Sequence, residues 1–171
     1  MSLGCIPTTL GAAKIAAAET GGPPVAFASM AFGDGAGAVV ALDPARTALV
    51  HEVHRVGLSS IGRHAAYPAR MVFRGVLPPE VGGFSAREIG IFDAAGDMIL
   101  FGTCTAFEKP AFDAGESHDV VVEAEAEISP AANITVLIDP SLVLATLDDV
   151  DARVAAAFRR DRPFRHYRNG A

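Results

Sequence analysis

A chain of 171 residues, half of them hydrophobic and a fifth charged, has the size of one domain and enough apolar material for a packed core. A mean hydropathy of +0.32 sets it apart from disordered sequences. The net charge of −6 argues against a nucleic-acid-binding surface, and the longest apolar stretches, Ile99 to Phe101 and Val136 to Ile138, are too short to cross a bilayer. No basic leader followed by an apolar run opens the sequence, so no export signal is expected. Cys5 and Cys104 fit no metal or redox spacing and are expected to be reduced thiols in a protein made in a cytoplasm.

Thr8 and Thr9 precede an alanine-rich run that stops at Gly21-Gly22-Pro23-Pro24. A threonine cap, strong helix formers and a Gly/Pro stop predict a short N-terminal helix. Val25 to Phe32 alternates with few charges on either face and predicts a well-buried strand, broken by the glycines of Gly33-Asp34-Gly35-Ala36-Gly37. Thr47 to Arg55 supports two readings. Leu49, Val50 and Val53 suit a short helix, whereas the sequel through Ile61 reads as extended. Tyr67-Pro68 marks a turn before the alternating strand around Met71, Phe73 and Gly75. Ile89 to Phe92 and Met98 to Gly102 flank Asp93-Ala94-Ala95-Gly96-Asp97, a hairpin signal.

Val120 to Ile128 has the cleanest period of two. Val122, Ala124, Ala126 and Ile128 face the core, while Glu123, Glu125 and Glu127 face solvent. Asn133 to Ile138 is expected to pair with it across the Ser129-Pro130 turn. Leu147, Val150, Val154 and Ala157 recur at spacings of three and four behind a Thr146 cap, with Asp148 and Asp149 in the first turn. That pattern predicts a C-terminal helix that packs against its own copies. The fold class expected is α+β, a β-rich antiparallel domain over 1–145 with a short N-terminal helix and a C-terminal oligomerising helix over 146–158. Residues 159–171 form a basic tail with five arginines and one aspartate, a local balance of +4, so the rest of the chain carries −10.

Motifs for chemistry are sparse. His51-Glu52-Val53-His54 has its histidines three apart where a zinc-protease helix needs four, and no third ligand is evident. Gly33-Asp34-Gly35 lacks the helix and lysine of a phosphate loop and the spaced oxygens of a calcium loop, so a tight turn is expected. The Glu123, Glu125 and Glu127 stripe reads as a solvated strand face. Ser59-Ser60 lacks the glycines of a nucleophile elbow, and Cys104 lies in an apolar run. Arg87 and Glu88, adjacent on a strand, should find different partners. No catalytic, cofactor or metal residues are expected. Phe158, Arg159, Arg160, Arg162, Phe164, Arg165, Tyr167 and Arg168 mix arginine with aromatics, as docking peptides do. The competing expectation for them is a solvated end.

Five blocks, in order, carry a likeness to a known family. They are Thr9 to Ala18, Met30 to Gly35, Thr47 to Arg55, Val81 to Asp93 with Gly96-Asp97, and Ile138 to Thr146. Together they resemble the phage tail-collar fibre proteins, the N-terminal domains of tail fibres from contractile-tailed phages and phage-derived bacteriocins. The resemblance implies a non-catalytic virion component, made in the bacterial host cytoplasm, that self-associates as a homotrimer and anchors a fibre to a baseplate protein. It implies no cofactor, no nucleic acid and no membrane. In the family this domain precedes a long shaft and a receptor-binding tip. Here only the arginine-rich tail to Ala171 follows the expected helix, which favours a short fibre base or adaptor with the shaft on a separate chain. The alternative from another class is a carrier or regulatory protein that holds a partner with its basic tail.

Overall fold

The computed structural model describes residues 2–111 and 119–137. In chain order the elements are β1 (Ser2–Pro7), α1 (Thr9–Glu19), β2 (Val25–Gly33), β3 (Glu52–Arg63), β4 (Arg70–Leu77), β5 (Phe84–Asp93), β6 (Met98–Lys109), β7 (Val120–Glu127) and β8 (Ile134–Val136). The strands run β3-β4-β7-β1-β6-β5-β2, and a further β3–β2 pairing closes this sheet into a seven-stranded barrel. Closure depends on the length of β3. Its first half, to Gly57, pairs with β2, and its second half, from Leu58 to Arg63, pairs with β4. Closing the sheet removes the unpaired edges that an open β layer would expose.

This corrects the expected α+β class. The described residues are mostly sheet, 52% strand and 11% helical. Nor is the sheet purely antiparallel, because β1 runs parallel to β7 and β8 parallel to β2. The physical reason is that the sheet satisfies its own edges by closing, and α1 is the one α-helix among the described residues. The C-terminal oligomerising helix forms no part of the described fold. Leu147, Val150 and Val154 lie outside the described residues, as do the boundaries at 145 and 158. The pairing expected for Asn133 to Ile138 is also overturned. Both edges of β7 are already taken, by β4 and β1, so β8 crosses instead to β2 and matches Ile134 to Val25.

The N-terminal helix forms as its sequence predicts. The Thr8 hydroxyl caps it by accepting from Gly11 N–H at 2.9 Å and, buried, donates to Met98 O at 2.7 Å. One side chain thus ends β1, starts α1 and fixes both to β6. The helix then lies so close to β6 that a Cβ on Gly11 would sit 2.0 Å from the Ile99 carbonyl oxygen. The expected hairpin is β5–β6, with Gly96 at φ +87 in its turn.

Two apolar clusters explain why some strands alternate and others do not. The larger fills the barrel with Phe27, Met30, Phe32, Phe73, Leu58 and Ile91 among others, Phe27 and Phe73 meeting edge to face at 4.8 Å. The smaller joins Ala31, Phe92, Met98 and Phe101 to Val40 and Leu49. Val40 and Leu49 belong to the long connection 34–51, which lies as a strap over β2, β5 and β6. Those strands are therefore apolar on both faces. β7 has no such cover and buries Val122, Ala124 and Ala126 while turning its glutamates outward.

The Gly11 contact is directly testable. Gly11→Ala should cost about 1–3 kcal/mol in denaturant unfolding, because backbone and not a flexible side chain must give way. Gly4→Ala, with nothing within 4 Å of the added methyl, should stay within about 0.5 kcal/mol of the parent.

Candidate functional site

Polar residues singled out in the sequence converge where the strap leaves and rejoins the barrel. Gly35, Ala36 and Gly37 have φ values of +63, +53 and +80, a left-handed turn that only glycine adopts without cost. Asp34 holds it. Its Oδ1 accepts from Ala36 N–H at 2.8 Å and lies 2.8 Å from His51 Nδ1. The bond from His51, then that from Ala36, keeps the Asp34 carboxyl below its usual range. The tight turn expected of Gly33-Asp34-Gly35 is therefore present.

Glu88 closes the strap from beneath. Its side chain is fully buried, and its two carboxylate oxygens accept from Val50 N–H at 3.0 Å and His51 N–H at 3.1 Å. Gly33 makes room for it, since a Cβ there would lie 2.4 Å from Glu88 Oε1. Arg87, on the other side of the strand, reaches Asp34 O at 3.2 Å. The neighbouring charges thus have different partners, as expected, but both serve the same loop.

His51 and His54 do not come together as ligands. His51 sits at the end of the strap, whereas His54 lies on β3, stacked on Phe84 with ring centroids 6.3 Å apart. Burial lowers the His54 pKa more than Glu52 raises it. Of the two alternatives for Thr47 to Arg55, the helix does not form. Residues up to His51 are irregular, and β3 begins at Glu52. Among the described residues no three acidic, histidine or cysteine side chains cluster as a metal site would require. Both cysteines are free, and burial, then Cys104, pushes the Cys5 thiol up to about 12.

The glutamate face of β7 is more structured than a plain solvated stripe. In register across β4, Arg74 pairs with Glu123, and Arg70 reaches Glu125 at 3.4 Å and Glu127 at 3.8 Å. Arg74, Glu123 and Glu125 floor an open groove of 450 Å³ bordered by Arg63 and His64. Its charges balance one another. Phe158, Arg159, Arg160, Arg162, Phe164, Arg165, Tyr167 and Arg168 lie outside the described residues.

A second clamp escaped sequence reasoning. Lys14 on α1 sits 2.5 Å from Asp93 and 2.6 Å from Asp97, across the β5–β6 turn. Asp93 also accepts from the N–H groups of Ala95 and Asp97. Burial would raise the Asp93 pKa, but Lys14 and those N–H groups overcome it, and the net shift is downward. Lys14 is raised, first by its bond to Asp93.

The polar groups described above hold the loops of a closed barrel to its wall. By comparison with known proteins, the chain belongs to the phage tail-collar fibre protein N-terminal family, whose model matches residues 1–148. It is 38% identical over 149 residues to a protein named "Probable tail fiber protein" from Escherichia phage P2, covering 86% of this chain and 22% of that protein. The chain thus spans about a fifth of the relative's length. No solved structure matches. The expected membership is borne out, and the family is one of structural virion proteins.

The structure shows what four of the five resembling blocks do; the last, Ile138 to Thr146, lies outside the described residues. Asp34, His51 and Glu88 come from the second, third and fourth blocks and bond one another's segments. Lys14 of the first block grips Asp93 and Asp97 of the fourth. The sequence signal for these clamps was faint, because each joins positions far apart in the chain.

Two outcomes follow. Glu88→Gln should cost about 1–2 kcal/mol, since an amide nitrogen replaces one acceptor facing a buried N–H. Amide exchange should quicken at Val50 and His51 and stay unchanged in β7; equal protection at all these sites would remove Glu88 from its clamping role. The second outcome concerns pH. A depressed Asp93 pKa gives stability that is complete above the unfolded value of about 3.9 and is lost as pH falls through the folded value. Lys14→Met should therefore flatten the acid limb of a stability-versus-pH curve below about pH 5. An unchanged limb would show that the clamp contributes nothing.

Proposed function

We propose that this domain is the base of a tail fibre and seats the fibre on the baseplate of a phage or phage-like particle. Membership of the tail-collar fibre family is the observation that carries this reading. The P2 relative, named as a tail fibre protein and matched over 22% of its length, supports a role for this module within a larger fibre. The barrel suits such a role, because a base that transmits load needs a rigid body with loops tied to its wall. Assembly of copies around the fibre axis belongs to the same proposal, following the closed symmetry of most homo-oligomers. A distal shaft carried on another chain would then join at this base.

Gold-labelled antibody against the chain, imaged on particles from a host that expresses the genes encoding it, tests the proposal. Label is expected at the distal end of the tail, and particles made without the chain should lack fibres. Label on the head, or fibres that persist when the chain is deleted, would refute it.

A further inference from the structure

We propose that the outer side of the strap, residues 38–50, is the surface that meets the receiving tail protein, and that it takes a segment carrying a carboxylate among apolar side chains. This rests on the attachment role proposed above and adds where, and with what chemistry, contact is made. Six large hydrophobic residues stand exposed among those described. Three of them, Val39, Leu42 and Val50, lie on the strap, and a fourth, Leu10, lies next to Thr9, whose N–H and hydroxyl both donate to Pro44 O. Val39 is 95% exposed, although its neighbour Val40 is buried in the smaller apolar cluster. Apolar side chains gathered on one exposed loop mark a contact surface more often than scattered ones do.

Charge decides the kind of partner. The acidic groups of the strap and its borders are engaged at home. Asp34 binds Ala36 and His51, Asp43 caps Ala45 N–H, and Glu52 holds Arg55 through two bonds. Arg46 is different. Among the described residues it is the one arginine whose side chain has neither a hydrogen bond nor an ion pair; its guanidinium lies over the Phe101 ring at 5.6 Å, and its buried Nε has no acceptor. A buried donor left without an acceptor is costly, and a planar cation seated on an aromatic face is prepared for a carboxylate. The strap is thus apolar, with Asp43 bonded to its own backbone and the Arg46 guanidinium without an acceptor. It complements an apolar segment that brings a carboxylate to Arg46.

The experiment uses the full chain and fibre-less tail particles made without it. Arg46→Gln and a Val39→Ser/Leu42→Ser pair are compared with the parent and with Tyr67→Ser, at an exposed site away from the strap. Both strap variants should keep the parent's unfolding midpoint yet bind the particles roughly tenfold more weakly or worse. Arg46→Gln should also lose part of the salt dependence. Parent-like binding by both variants would overturn the inference while leaving the attachment role intact, whereas no binding by the parent chain would overturn both. Two other occupants would also sink it. A variant that changes the sedimentation of the isolated chain would place a second copy on the strap, and one that changes amide exchange in residues 138–171 would place the chain's own C-terminal part there.

Discussion

A carboxylate buried against a glycine holds this molecule's most unusual feature in place. The segment 34–51 has no strand of its own to join, so its backbone N–H groups need acceptors from elsewhere. Glu88 supplies two of them from within β5, and it fits there only because Gly33 has no side chain. A buried charge is expensive in an apolar core unless it is fully hydrogen-bonded. Here the cost has a return, since once Val50 and His51 are tied down, Val40 and Leu49 can cover Phe92, Met98 and Phe101. Without the strap those side chains would lie on the outside of the barrel, facing water.

That cover also explains which strands could be read from the sequence. Val120 to Ile128 was legible because one face is wet, so the alternation of glutamate with small apolar residues records burial directly. The β5–β6 hairpin was legible from its Asp/Gly turn, and α1 from its threonine cap and glycine stop. β1 was not, since Ser2 to Pro7 is short and gains its place only by pairing with β6 and β7 from distant parts of the chain. Thr47 to Arg55 left two readings because Leu49 is buried by tertiary packing, not by the period of a helix or a strand. Register and closure were the least legible of all. Asn133 to Ile138 looks like the local partner of β7, and only the presence of β4 and β1 on both of its edges sends it to β2.

The candidate site followed the same rule. Sequence reasoning located Asp34, His51, Arg87 and Glu88 as residues out of keeping with their surroundings, and it assigned the two charges of the Arg87-Glu88 pair to different partners. It could not show that all four serve one loop. Lys14 passed unnoticed, being one lysine on an alanine-rich helix; its meaning lies in Asp93 and Asp97, about eighty positions away. Family membership, by contrast, was legible early. The blocks that carry the likeness hold residues that clamp the barrel together, and such clamps constrain sequence more sharply than exposed surface does.

This division between clamp and surface bears on what the domain does. Here Asp34 Oδ1 fixes a left-handed turn and meets the His51 ring at Nδ1, while the backbone N–H of His51 completes the Glu88 clamp. On the groove of the β3–β4–β7 face, Arg74 pairs with Glu123 across the sheet and Arg63 donates to the carbonyls of Pro68 and Ile128. Among the described residues, the strap exposes Val39, Leu42 and Val50 and holds the Arg46 guanidinium over Phe101 with its Nε unpartnered. Rigidity lowers the entropy lost on association, so a fixed loop can bind with fewer contacts than a mobile one. A firm strap with exposed apolar side chains on such a barrel suits the attachment role proposed above.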